Sequence, residues 1–595
     1  MPVYQAPIQD MRFVLNELFD SSAITELPGN ADFTPELMDS VLEEAAKLAE
    51  TVLFPINQIG DLEGCVYENG VVRTPTGFKE AYKAFCDGGW GAMAASPEWG
   101  GQGMPIPTAM MVEEMLCSAN VAFGLYPGLT HGAYVALSHA GTEEQKQTYL
   151  PNLVTGKWSG TMCLTEPHCG TDLGMLRTKA EPNDDGSYSI TGNKIFISAG
   201  EHDLTENIIH LVLARLPDAP RGVKGISLFV VPKFLVREDG SLGQRNGLQC
   251  TAIEHKMGIK ASATCAMSFD GAKGWLVGEP HKGLAGMFKM MNTERLSVGI
   301  QGLGVAEIAY QNAVSYARDR IQGRSLTGTK APDKQADPIL VHPDVRRMLL
   351  TMRAYIEGCR GLAGWVAREL EILTKSTDED AKQSADDFSS LMTPVVKAMF
   401  TDMGFEIASL AVQTYGGHGY IRDHGIEQYV RDARISMLYE GTNGIQALDL
   451  VGRKLPQDGG RLLTHFMDPV MEFIEAHADN EALEPFLGPL QQALEHMQEA
   501  TGFIMENAMG NYDEVGAASV DYLRLFGLTA LAFVWARMVA IAAPKAEEEG
   551  QGQFYRAKVQ TAKFFVERLL PQTGALLAAI RTGSATMMEF EDAAF

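Results

Sequence analysis

The chain predicts an α+β protein, a β-rich middle between helical flanks, on three observations. Segments up to about residue 158 and beyond about 280 carry apolar residues at helical spacing, as in Pro35 to Leu53, Leu296 to Arg320, Val345 to Thr374 and Leu391 to Tyr415. Between about 159 and 275 the texture changes to short runs rich in β-branched and aromatic residues: Tyr188 to Thr191, Lys194 to Ser198, Ile208 to Ala214 and Ile226 to Val231. Turn residues such as Asn183-Asp184-Asp185-Gly186 separate these runs, and no long helices alternate with them, which argues against a Rossmann arrangement.

In order along the chain, Met11 to Leu18, Pro35 to Leu53 and Pro107 to Leu116 read as helices. A glycine-rich loop, Gly88-Gly89-Trp90-Gly91 through Pro97-Glu98-Trp99-Gly100-Gly101-Gln102-Gly103, lies between the last two. The polar stretches 325–338 and 375–387 read as loops, and Pro456-Gln457-Asp458-Gly459-Gly460 as a linker. The remainder is again helical, with an acidic turn at Glu547-Glu548-Glu549-Gly550. A chain of 595 residues exceeds one ordinary core. Four segments are expected: helical 1–158, β-rich 159–280, helical 281–455 and a further helical 456–595.

A net charge of −26 argues against nucleic-acid or anionic-membrane partners, which need a basic face. The first residues lack a basic stretch followed by an apolar core, so no signal peptide is expected. The most apolar stretch, Leu528 to Ala543, is short for a membrane span and carries Arg537, so it reads as a buried helix. The eight cysteines form no C-x-x-C pair and no His/Cys cluster has metal spacing, so reduced thiols, a cytoplasmic location and no metal are expected.

The string Tyr439-Glu440-Gly441-Thr442-Asn443 puts one carboxylate in a tight turn between helical patterns. Gly441 can stop the first helix and Thr442 can cap the second. On its own, a Glu before a helix is most often a solvated surface group. Three more strings stand out. Cys163-Leu164-Thr165-Glu166-Pro167-His168-Cys169-Gly170-Thr171-Asp172 offers hydroxyls and close backbone approach for a ring edge and a pyrophosphate, or an ordinary turn. Thr191-Gly192-Asn193-Lys194-Ile195-Phe196-Ile197-Ser198 puts Phe196 and Ser198 on one strand face by alternation, where they suit a flat heterocycle or the core. Gln413-Thr414-Tyr415-Gly416-Gly417-His418-Gly419 follows a helix, so it is no dinucleotide fingerprint. Gly299-x-x-Gly302-x-Gly304 lies inside a helix and is read as close helix packing.

Together these strings resemble the acyl-CoA dehydrogenase family of flavoproteins: T-E-P-x-x-G-[ST]-D, G-x-K-x-[WF]-I-[ST], Q-x-x-GG-x-G and Y-E-G-T, in family order. Met257-Gly258-Ile259-Lys260-Ala261-Ser262 followed by Phe269 is similar to a further signature, and the resemblance spans roughly residues 35 to 455. The longer C-terminus and the opening Tyr4 to Val14 are similar to a subgroup that includes 3-(methylthio)propanoyl-CoA dehydrogenases and general fatty-acyl dehydrogenases. The resemblance implies an N-terminal α-helical domain, a β-barrel-like middle domain, a C-terminal four-helix bundle and an additional helical domain.

It also implies roles. Glu440 would remove the α-proton of an acyl-CoA thioester while the β-hydrogen leaves as hydride to FAD. Its own backbone N–H would help polarise the thioester oxygen, and burial under substrate would strengthen the base. Thr165, Phe196 and Ser198 would face the flavin, and Thr171 its pyrophosphate. Thr442 and, more loosely, Arg320 would also contact the cofactor, and Gln413 and Gly417 would meet the FAD of a neighbouring subunit. Arg295 would lie near substrate. Implied partners are the acyl-CoA, electron-transfer flavoprotein and further copies of the chain in a homodimer or homotetramer. Two features depart from the pattern. Arg320-Ile321-Gln322-Gly323-Arg324 lacks the usual aromatic, and Glu294 supplies a second carboxylate at a position some members use for the base. Glu440 is preferred. The acyl chain is expected to be short, with 3-(methylthio)propanoyl-CoA the first choice. The alternatives are a general fatty acyl-CoA dehydrogenase, an acyl-CoA oxidase, and a non-catalytic flavin-fold assembly partner.

Overall fold

Among the described residues, eleven strands and a larger set of helices divide into two compact units, one of residues 44–104 and 115–297, the other of 1–43, 105–114 and 298–595. The computed structural model describes residues 2–548, 550 and 552–595, with the side chain of Lys289 left aside; Glu549 of the acidic turn lies outside the described residues.

The first unit holds the strands. Two pair as a hairpin, β1 (Val66–Glu68) and β2 (Val71–Arg73). The main sheet comprises β3 (Trp158–Cys163), β4 (Lys179–Pro182), β5 (Tyr188–Ser198), β6 (Asn207–Arg215) and β7 (Ile226–Pro232). A second hairpin, β8 (Phe234–Val236) with β9 (Leu242–Arg245), precedes its last two strands, β10 (Leu248–Ile253) and β11 (Thr264–Val277). The order β10-β11-β5-β4-β6-β3 closes on itself because β7 pairs with both β11 and β6. The ring itself is β11, β5, β4, β6 and β7, with β10 and β3 each paired on one side only, and the interior fills with Ile190, Val212, Phe229, Val231, Cys265 and Phe269. Two expected short runs are one strand, β5, because Gly192 stays extended.

The second unit is helical. Pro343–Lys375 and Glu379–Tyr415 pack side by side, the apolar stripe of each covered by its neighbour. The helix expected from Leu391 begins at Glu379, since Asp378 caps it by accepting from the amides of Asp380 and Ala381. Asp513–Lys545 is the one helix among the described residues with the length and composition of a membrane span, and 83% of its most apolar stretch is buried inside the protein. Arg537 within it donates to Leu18 O and lies 4.8 Å over the Phe19 ring.

A buried ionic cluster ties both chain ends to this bundle. Arg360 pairs with Asp10, Glu114 and Glu307, and Lys558 with Asp10 and with Glu357 at 2.7 Å. Burial opposes ionisation of Asp10, but Lys558 and Arg360 together hold its carboxyl below its usual value.

Candidate active site

In the barrel unit, a wholly buried cation joins two of the singled-out strings. Lys194, on β5, donates to Leu164 O and Glu166 Oε1, both at 2.9 Å. Glu166 also accepts from Thr178 Oγ1 at 2.5 Å and from the amides of Arg177 and Thr178. Burial alone would raise Glu166, but Lys194 and these donors outweigh it and hold the carboxyl low. Ile195 N donates to Thr165 O at 2.9 Å, so the loop after β3 is stitched to β5 beside Phe196.

Strict alternation does not continue through Phe196. Pairing of β11 with β5 jumps from Cys265↔Ile197 to Met267↔Lys194, so Ile195 and Phe196 together stand opposite Ala266. This is a β-bulge, and Phe196 takes φ +59°, a left-handed conformation costing roughly 1–2 kcal/mol for a bulky residue. The bulge re-aims the phenyl ring, leaving it 59% exposed while Ser198 stays half-buried. The hydroxyls of Thr165 and Ser198 have no hydrogen-bond partner among the described residues. Thr171 is exposed on the loop beyond, where Asp172 Oδ1 accepts from Gly174 N at 2.9 Å. An exposed ring, two open hydroxyls and a glycine-bearing loop fit a flavin and its pyrophosphate. Glu166, His168 and Cys169 gather possible ligand atoms within 4.8 Å of one another, but Glu166 is already committed to Lys194.

In the helical unit, Glu440 is also left-handed, at φ +56°, and is followed by Gly441 at +84°. A non-glycine residue holds such a conformation only where its surroundings over-determine it. Here they do. Gln446 Nε2 donates to Glu440 O at 2.9 Å. Lys397 Nζ donates to Gly441 O and Asn443 Oδ1, each at 2.8 Å. Asn443 Nδ2 donates to Asp402 Oδ1 at 2.7 Å, and the Tyr439 hydroxyl donates to Gln301. Thr442 caps the next helix, Asn443–Asp449, by accepting from Ile445 N. The φ of +84° at Gly441 favours glycine, and a Cβ there would press on the amide end of Gln446, 2.8 Å away.

Gln413 is exposed at the end of Glu379–Tyr415, followed by exposed Gly416 and Gly417. Tyr415 stacks on Tyr316 at 4.1 Å, and the Tyr316 hydroxyl lies 2.9 Å from His418 Nδ1. Arg320 is exposed one turn after Tyr316, so Arg320, Gln413 and Gly417 share one surface region. Arg295 is half-buried in the barrel unit, 3.4 Å from Asn292 Oδ1, whereas Glu440 belongs to the helical unit. Glu294 is 5% exposed and packs against Gly132, where a Cβ would meet its Oε1 at 2.3 Å. Lys194, Lys397 and Gln446 were not singled out from sequence. Lys397 carried a legible signal, being the only charged residue between Asp387 and Asp402.

The barrel unit thus carries an open aromatic ring on a strand, and the helical unit a carboxylate on a pinned turn. Family models for the acyl-CoA dehydrogenase N-terminal, middle and C-terminal domains match residues 41–157, 161–272 and 281–455, and an acetyl-CoA dehydrogenase C-terminal-like model matches 466–591. The chain belongs to the acyl-CoA dehydrogenase family and is an FAD-dependent oxidoreductase acting on acyl-CoA thioesters. A 3-methylmercaptopropionyl-CoA dehydrogenase of Ruegeria pomeroyi is 43% identical over 96% of this chain and 97% of its own. A broad-specificity linear acyl-CoA dehydrogenase of Mycobacterium tuberculosis is 37% identical over all of both chains. The Caenorhabditis elegans protein ACDH-11, solved in complex with C11-CoA, shares the fold at a TM-score of 0.78 and 19% identity, covering 96% of this chain and 92% of that one.

Proposed function

We propose that Glu440 is the base that removes the α-proton of a short acyl-CoA, 3-(methylthio)propanoyl-CoA before all others, giving the trans-2-enoyl thioester. The observation that carries this reading is the left-handed turn at Glu440, pinned through its carbonyls by Gln446 and Lys397. In water a carboxylate is far too weak a base for this proton. Glu440 overcomes that by position, and its own main-chain N–H donates to the thioester oxygen, stabilising the negative charge that develops there. FAD, when bound, supplies the acceptor for the β-hydrogen as hydride.

Thr165, Phe196, Ser198 and Thr171 hold the flavin and its pyrophosphate in this reading, with Thr442, Arg320, Gln413 and Gly417 as further cofactor contacts and Arg295 beside substrate. Substrate choice is supported by the 43% identity to a 3-methylmercaptopropionyl-CoA dehydrogenase along nearly the whole chain. Electrons pass to electron-transfer flavoprotein, the chain works as a homodimer or homotetramer in the cytoplasm, and the segments 1–158, 159–280, 281–455 and 456–595 are its domains. All eight cysteines are free, which suits that compartment. An anaerobic screen of acyl-CoAs, read by loss of flavin absorbance, tests the reading. Bleaching by the methylthio and butanoyl thioesters is expected, and no bleaching by any acyl-CoA would overturn it.

A further inference from the structure

A lysine in the middle of an apolar helix face is costly to bury unless its amino group is used. Lys397 is wholly buried between Val396 and Ala398 on the helix Glu379–Tyr415. Its Nζ reaches Gly441 O and Asn443 Oδ1, both at 2.8 Å. Asn443 passes the contact on to Asp402 Oδ1 and Thr401 Oγ1 at 2.7 and 3.0 Å. A cation, an amide and a carboxylate thus form one chain beneath the turn that carries Glu440.

Two consecutive carbonyls of that turn are held by two different side chains. Gln446, 1% exposed, holds Glu440 O, and Lys397 holds Gly441 O. Fixing both carbonyls fixes the peptide planes on either side of Gly441. That holds Gly441 at φ +84° and fixes the plane on the C-terminal side of Glu440, one of the two planes between which its φ of +56° is set. The direction of the Glu440 side chain and of its main-chain N–H depends on that torsion.

We propose that Lys397 is a positioning residue for the dehydrogenation: its buried ammonium locks the Gly441 carbonyl and so aims both the Glu440 carboxylate and the Glu440 N–H. This rests on Glu440 being the base. Without the ammonium the turn can relax, and misplacement on the order of 1 Å costs up to about a hundredfold in rate. The loss appears in kcat, because substrate binding elsewhere is untouched.

Two variants test it in the full-length protein loaded with FAD. Lys397→Met removes donor and charge, and Lys397→Gln keeps a shorter neutral donor. Expected are a kcat lowered at least about tenfold in the Met variant and less in the Gln variant, with KM within about threefold and flavin content unchanged. Wild-type kcat in both variants would overturn the proposal, as would a kcat that falls only in step with lost flavin, which marks a merely structural lysine. If Lys397→Met does not fold, Lys397→Gln decides alone on the same readouts. Glu440→Gln is measured alongside. A fully active Glu440→Gln defeats the base assignment itself, whereas a dead Glu440→Gln beside fully active Lys397 variants defeats only the role of Lys397.

Discussion

Lys194 Nζ lies 2.9 Å from Glu166 Oε1, and neither side chain is more than 3% exposed. The pair holds the loop that carries Thr165 against the bulge that carries Phe196. Removing one member of a buried pair strands the other charge, at a cost of about 3–5 kcal/mol. Lys194→Met is therefore expected to lower the thermal midpoint and to yield protein with much less FAD than wild type, read by the ratio of flavin to protein absorbance. Undiminished flavin content would show that the clamp does not shape the cofactor shelf.

The Asp10–Lys558 contact joins the first helix of the chain to a helix of the last segment. Lys558→Met leaves Asp10 and Glu357 buried with fewer counter-charges, and a loss on the order of 3–5 kcal/mol is expected. Adding Asp10→Asn to Lys558→Met should recover part of it, because the stranded charge is then gone. Thermal melting of the two single variants and the double variant measures this coupling. Strict additivity would contradict it.

Stability should fall in mild acid through two buried histidines. His202 and His210 are enclosed in the barrel unit, and burial pushes each down to about 3. Unfolded, each titrates near 6.5. Above that value neither state holds the proton and the stability is full. As pH falls from about 6.5 toward about 3, the unfolded state takes up protons that the folded state refuses. The expected loss at pH 5 is roughly 2 kcal/mol per histidine. Denaturant unfolding of the barrel at pH 7.5 and pH 5 tests this, and equal midpoints would contradict it.

Much of this architecture was legible because it rests on local patterns. Helical periodicity located Pro343–Lys375, and β-branched runs located β6 and β7. β11 escaped notice because Asp270, Gly271 and Lys273 interrupt its apolar pattern, and its partners, not its own sequence, make it a strand. Thr442 was legible as a cap because capping is a local act. The bulge at Phe196 was not, since alternation carries no mark of a register shift set by β11. Lys397 shows in the sequence only as a lone charge in an apolar stretch and Lys194 only as part of the strand string; what each holds appears with the tertiary contacts.

Selectivity between a thioether and a methylene should be modest. The two are nearly isosteric, so an apolar pocket separates them by only about 1–3 kcal/mol. Values of kcat/KM for methylthiopropanoyl-, butanoyl-, octanoyl- and palmitoyl-CoA are expected to be highest for the first, with butanoyl-CoA within about two hundredfold. An optimum at palmitoyl-CoA would keep the family and discard the substrate.

Glu440, on its pinned left-handed turn, is the proposed base, and Glu294, packed against Gly132, is not. Single-turnover flavin reduction by the preferred acyl-CoA, in Glu440→Gln and Glu294→Gln proteins of matched FAD content, tests it most directly. Glu440→Gln is expected to reduce its flavin at least about a hundredfold more slowly than wild type, the scale of a lost general base, and Glu294→Gln to be much milder. A Glu440→Gln protein that reduces its flavin at the wild-type rate, beside an inert Glu294→Gln protein, would contradict it.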